Sequence, residues 1–489
     1  MFDIVAGTSI GAINAAILVS YVIEKKKANP KLTPKECWEG SVEWLVNFWN
    51  YISSPTPGIA DLFSRWWWWD EVHYKVNSGV ASSEAARRYY STKQFFSSGI
   101  DKVFSAPEII YDERFYDNFP YTPPSNIWYR YNNKPLKESI TTKGGFANFP
   151  IKTRPYHSIE GRKLEKAEED EKEKPVEGPR LLVVSVDVAA GTAVTFDSYG
   201  KAIKYKDEKL IKKEKPNNNY EWKTEYGKRD DQSGGKYEHV IRYDEGITLE
   251  HVMASGTMPV LFNYQEIDGR KFWDGGILSN TPLRELIGKH KSFWEDEIDP
   301  NDLSKGMWKI DGVDTSSISN NNNNSNTTNE GQKVPDLEVY IVNVWPSKEK
   351  EVPSDYDGVK DRRNDIGFHD KTEYDEKVAL LVSDYIELIK QMKHIAVKHF
   401  TDKNKKKEFE DELENFLKNK NEYVKSTRRT GEKRTYEELI KGRFKLTKVV
   451  RIERIDDADS ISSKFADFTS HTIKELIKQG ENDARKVLE

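Results

Sequence analysis

Ser9 lies in Gly7-Thr8-Ser9-Ile10-Gly11, and Asp274 opens Asp274-Gly275-Gly276. A serine hydroxyl attacks an acyl carbon once a base takes its proton, and a carboxylate can be that base. An apolar run, Phe2 to Ala6, precedes Gly7, and the apolar stretch Ile13–Ile23 follows. Strand, sharp turn and helix in that order build a nucleophile elbow, which leaves Ser9 exposed at the end of a strand. The helix behind it offers free N–H groups and a dipole that favour developing negative charge. Gly7 and Gly11 are expected where neighbouring backbone leaves no room for a side chain. The Ile10 amide is the local oxyanion donor. Without further context the same residues also read as a tight strand-to-helix packing corner. Asp-Gly-Gly likewise reads as an ordinary turn.

Composition narrows the chemistry. Over 489 residues the net charge is only -5, so no basic field points to nucleic acid. Cys37 is the single cysteine, which excludes an internal disulfide and fits a reducing, cytoplasmic compartment. The nine histidines are scattered. A Ser-Asp-His triad would need His290 or His369, and no local motif selects either. His394 and His399 are five apart, which does not align them on one helix face for a metal.

The elements that must position Ser9 and Asp274 can also be read. Leu181–Val188 is a continuous apolar run, the pattern of a strand buried on both faces. Thr192–Phe196 starts another strand, Ile247–Met258 reads as a helix, and Gly269–Trp273 reads as a hairpin strand leading to Asp274. Residues 33–50 read as one capped amphipathic helix with Trp38, Val42, Leu45 and Phe48 at helical spacing. Parallel-type strands alternating with helices predict an α/β sheet. Ile13–Ile23 is too interrupted by its surroundings to be an anchor, and a buried helix explains it better.

Taken together, Gly7-Thr8-Ser9-Ile10-Gly11 with Ala12 and Asn14, and Asp274-Gly275-Gly276, resemble the patatin-like phospholipase family. Ala254-Ser255, Pro259 through Phe262, Gly269, Asn280 and Pro282 resemble its block around the aspartate. Ser185-Val186-Asp187-Val188 with Gly191 and Phe196 resembles its middle strand, Leu337–Val344 its late strand, and Asp467 through Gly480 its closing helix.

The resemblance implies a three-layer α/β/α fold with large insertions, covering about 1–350, and a mostly helical extension over 351–489. Insertions are expected at about 50–175 and 203–243, with a disordered Asn-rich stretch at 316–329. It further implies a Ser9–Asp274 dyad without histidine and without cofactor or metal, Gly275 and Gly276 supporting the base. The implied reaction is hydrolysis of carboxylic esters of membrane lipids through an acyl-enzyme. The family's Gly-rich oxyanion loop has no counterpart before Ser9. Gly144-Gly145 and Gly234-Gly235 do not lie between a strand and a helix and make poor substitutes. An N-terminal truncation is therefore expected. Two other readings stay open: a lipid-binding protein that lost catalysis, and an esterase of soluble esters.

Trp66, Trp67, Trp68 and Trp69 form a run that suits peripheral contact with a bilayer interface. The helix over Tyr374–His399 carries Val378, Leu381, Tyr385, Leu388 and Met392 on one face, expected to pack as core or lid.

Overall fold

The computed structural model describes residues 1–54, 95, 99–105, 131–156, 175–200, four short strands between 202 and 242, 245–298, 303, 308, 333–348, 352–354, 356–425, 433–454 and 466–489. Trp66–Trp69 and the Asn-rich stretch lie outside them. Two compact units result. One comprises Met1–Pro282, Asn343–Asp370 and Ile452–Glu489, and the other comprises Leu283–Val342 and Lys371–Arg451.

The first unit is built on a five-stranded sheet. Its strands are β1 (Ile4–Thr8), β2 (Arg180–Asp187), β3 (Thr192–Asp197), β4 (Gln265–Ile267) and β5 (Arg270–Asp274). β1 pairs with β2 in parallel, whereas β3 and β5 pair with β2 antiparallel, and β4 with β5 antiparallel. The α/β class stands, but the sheet is mixed rather than parallel. The reason is local. Short connections, which join β2 to β3 and β4 to β5, allow only antiparallel neighbours. One of these is the two-residue turn at Asp268 (φ 48°) and Gly269 (φ 77°). Positive φ at both positions makes the type I′ turn that suits a hairpin.

All eight residues of β2 are buried. Leu181 and Val183 join one core with Val194, Phe196 and Phe272, beneath helices α1 (Ile10–Ala28), α3 (Ser41–Ile52) and α4 (Leu249–Ser255). Leu182, Val184 and Val186, on the other face of β2, are buried as well. Both charged ends of β2 are paired. Arg180 donates to Asp197 at 2.8 and 2.5 Å, and Arg270 donates to Asp187. Such pairs satisfy charges that burial would otherwise penalise by several kcal/mol per ion.

α1 buries residues on all sides, among them Ala12, Ile13, Ala16, Ile17 and Val19, as a helix inside the core does. Its last turn carries Lys25, Lys26 and Lys27, which complement the helix dipole. The single helix expected over 33–50 is two. α2 (Pro34–Trp38) starts on a Thr33–Glu36 capping box, and α3 starts after Gly40, which is left-handed (φ 83°). Val42 is 66% exposed, while Phe48 is buried.

Leu337–Asn343 and Leu446–Glu453, lying mostly within the second unit, form a two-stranded sheet of their own. Val339, Ile341, Leu446 and Leu283 make a small core of their own. The helix Glu373–His399 buries Ile386 and Lys390. Val378, Leu381, Tyr385, Leu388 and Met392 are exposed, contrary to the expected core face. The periodicity marks an apolar stripe correctly, but Ile386 and Val382, on an adjacent face, make the packing contacts instead.

Candidate active site

β1 runs straight into Ser9, so the strand covers Ile4–Thr8 rather than starting at Phe2, which is exposed. Ser9 has φ 56° and ψ -126°, a conformation rare for a residue with a side chain. Such strain costs about 1–3 kcal/mol and persists only where the surroundings enforce it.

Here they do. A Cβ on Gly7 would lie 2.3 Å from the backbone carbon and oxygen of Gly11, so only glycine fits. Gly11 is different, because a Cβ there would meet nothing within 4 Å. The crowding is one-sided. Gly11 presents its backbone to Gly7, and its own Cβ direction is open. The Ser9 amide donates to Ser255 Oγ at 2.9 Å, and Ser255, at the end of α4, donates onward to the Val184 carbonyl at 2.5 Å. Thr8 Oγ1 donates to the Ser279 carbonyl at 3.0 Å.

Asp274 reaches Ser9 through the sheet register. Thr8 is opposite Val184, and Asp274 is opposite Ser185, the next residue of β2. β1 and β5 therefore occupy the same edge of β2 and run towards each other, their C-terminal ends meeting. At that junction Ser9 Oγ donates to Asp274 Oδ2 at 2.5 Å. The Gly276 amide donates to Asp274 Oδ1 at 2.7 Å, and the Asp274 amide donates to the Thr257 carbonyl at 2.8 Å. Gly275 opens a 3-10 turn over Gly275–Ile277, and a Cβ there would stand 2.3 Å from the Val184 oxygen. Gly275 thus lets the aspartate turn pass against β2.

Asp274 is 1% exposed. Burial pushes its carboxyl up to about 6, against hydrogen bonds from Ser9 and Gly276 that pull it down. An ordinary carboxylate near 4 is a poor base, and one near 6 is better matched to neutral pH. The amides of Ile10 and Gly11 open α1, with no carbonyl within the helix to accept them.

No histidine is hydrogen-bonded to Ser9 or Asp274 among the described residues. His290 Nε2 contacts the Pro335 carbonyl at 2.8 Å, and His369 Nδ1 contacts the Ile366 carbonyl at 3.0 Å. Among the described residues no cluster of three or more His, Cys, Asp or Glu could hold a metal, and no helix is long and apolar enough to cross a membrane.

A family profile described as Patatin-like phospholipase matches residues 1–287, more than half the chain and the whole stretch that carries Ser9 and Asp274. The chain belongs to the patatin-like phospholipase family. Membership places it among lipid acyl hydrolases at the level of the family. No curated protein and no solved structure matches the chain.

Of the motif residues quoted from the sequence, Gly7, Ser9, Ser255, Asp274, Gly275 and Gly276 meet at this junction. Ser255 was visible only as part of a block, without a role, and Thr257 only as a position in the helix read over Ile247–Met258. The signal for Ser255 was polarity at the end of a helix otherwise buried, in Val252-Met253-Ala254-Ser255.

Proposed function

We propose that the protein hydrolyses carboxylic esters of fatty-acyl lipids, with Ser9 as nucleophile and Asp274 as base. The observation that carries this reading is the 2.5 Å hydrogen bond from Ser9 Oγ to Asp274 Oδ2 at a strained elbow.

In acylation, Ser9 Oγ bonds to the acyl carbon as its proton passes to Asp274. The tetrahedral oxyanion is met by the Ile10 amide at the start of α1. The carbon–oxygen bond to the leaving alcohol breaks, and Asp274 returns the proton to that alcohol. In deacylation, water takes the place of the alcohol. It gives a proton to Asp274 and bonds to the acyl carbon. The Ser9 Oγ–acyl bond breaks, and Ser9 recovers the proton. One donor fewer at the oxyanion typically costs about 10²–10³ in rate, so activity depends on how many amides serve it.

A lipid substrate is favoured over a soluble ester by the exposed apolar side chains beside the dyad. Ile10 follows Ser9 directly, and Ile277 and Leu278 follow the Asp274 turn, at 37%, 43% and 50% exposure. An acyl chain covers such surface at a gain of about 25 cal/mol per Å². Peripheral contact with a lipid surface fits the same patch, and Trp66–Trp69 remain the sequence's own candidates for it.

Intact-mass detection of fluorophosphonate labelling tests the reading. A single adduct on the wild type, absent from Ser9→Ala, is expected. Hydrolysis of phospholipid vesicles above that of short soluble esters is the second expected result. An unlabelled, folded chain that still binds vesicles would instead make it a lipid-binding member of the family.

A further inference from the structure

Ser185 is 0% exposed, and its Oγ has no hydrogen-bond partner. It sits on β2 directly opposite Asp274. Opposed residues of antiparallel strands put their side chains on one face, with Cβ atoms about 4.5–5.5 Å apart. A buried hydroxyl without a partner is uncommon, and each such group calls for an explanation.

The reaction supplies one. Asp274 has two donors, Ser9 Oγ and the Gly276 amide. Once Ser9 is acylated its oxygen carries no proton, and one of the two donors is gone. The carboxylate is left buried and half satisfied in the state that must next activate water. We propose that Ser185 is a positioning residue that turns its hydroxyl onto the Asp274 carboxylate in the acyl-enzyme, replacing the hydrogen bond that Ser9 has given up. This rests on the Ser9–Asp274 reading and adds to it a step-specific role.

The role predicts a particular imbalance. Acylation begins from the state in which Ser9 already donates, so it needs Ser185 little. Deacylation runs in the state in which Ser9 cannot donate. Losing Ser185 removes a donor that favours the ionised carboxylate, so less of Asp274 is ready as a base at a given pH. The other charged groups on the neighbouring elements do not stand in for it. Arg270 and Asp187 are engaged with each other. Glu250, Glu266 and Lys271 are exposed, and burial holds His251 down to about 4, hence neutral.

Pre-steady-state hydrolysis of a p-nitrophenyl acyl ester by the full chain separates the two steps. In Ser185→Ala the burst rate is expected to stay near that of the wild type, the steady rate to fall about tenfold or more, and the acid limb of deacylation to move to higher pH. Ser185→Thr, which keeps the hydroxyl, is expected to recover the steady rate. Equal slowing of both steps, or no change in either, would overturn the role. Should Ser185→Ala fail to fold, Ser185→Cys keeps the volume with a weaker donor and is expected to fall between. Loss of fold in both would make Ser185 a packing residue and sink the proposal. A burst that survives in Ser9→Ala would count against the dyad itself rather than against Ser185.

Discussion

Ser255 holds the backbone of Ser9 from below: the Ser9 amide donates to its hydroxyl at 2.9 Å, and that hydroxyl donates to the carbonyl of Val184. One side chain thus ties the elbow to α4 and to the central strand. Ser255→Ala would strip an acceptor from a strained amide and a donor from a buried carbonyl. We expect a loss of about 1–3 kcal/mol in stability, read by denaturant melts, and slower fluorophosphonate labelling.

Gly7 and Gly11 separate cleanly by substitution. Gly7→Ala places a methyl 2.3 Å from Gly11 backbone, which no side-chain rotation relieves. It is expected to yield no soluble folded protein. Gly11→Ala meets open space in the first turn of a helix and is expected to be neutral or stabilising by about 0.5–1 kcal/mol. Thermal melts of the two variants check the contrast.

The buried carboxyl of Asp274 couples activity to pH. With its ionisation held at about 6, the acid limb of kcat/KM is expected near pH 6. Asp274→Asn keeps the shape and removes the base, and about 10²–10⁴ in kcat should go with it.

The same burial has a stability consequence of opposite sign. The folded-state value, about 6, lies above the ordinary aspartate value of 3.8. Below about pH 4 both states are protonated and nothing is lost. Between about pH 4 and 6 the unfolded carboxyl gives up its proton while the buried one keeps it, so stability falls across that window and levels off once the folded state too is ionised above 6. The full cost is roughly 3 kcal/mol, at about 1.4 kcal/mol per pH unit. Asp274→Asn is therefore expected to be more stable than the wild type at pH 8, with the gain vanishing near pH 4, as urea melts across pH would show.

The Arg270–Asp187 pair is buried on both sides at 0% exposure. Arg270→Met strands a carboxylate in the core, and about 3–5 kcal/mol of destabilisation is expected by denaturant melts.

How much of this was legible in the sequence differs by residue. The elbow was legible, because strand, glycine, serine and helix constrain one another within fifteen positions. The strand of Leu181–Val184 was legible as well, from a short, β-branched apolar run that follows Gly178-Pro179. The register of β2 was not. Nothing in Ser185 or Val184 says which strands they face, because pairing is decided by contacts far apart in the chain. The roles of Ser255 and Ser185 follow from that register and were hidden with it. Glu373–His399 shows the opposite limit: its period was visible, but period alone does not say which neighbour, if any, covers the stripe.

Thr8 and Asp274 end their strands on adjacent rungs of β2. The length of the chain that separates them therefore does not set their distance. The connections outside the core helices and strands can lengthen or shorten while the two chemical groups stay on their rungs. Two residues 265 positions apart are as well aligned as if they were neighbours, and the long insertions become territory in which substrate choice can change without disturbing the reaction centre.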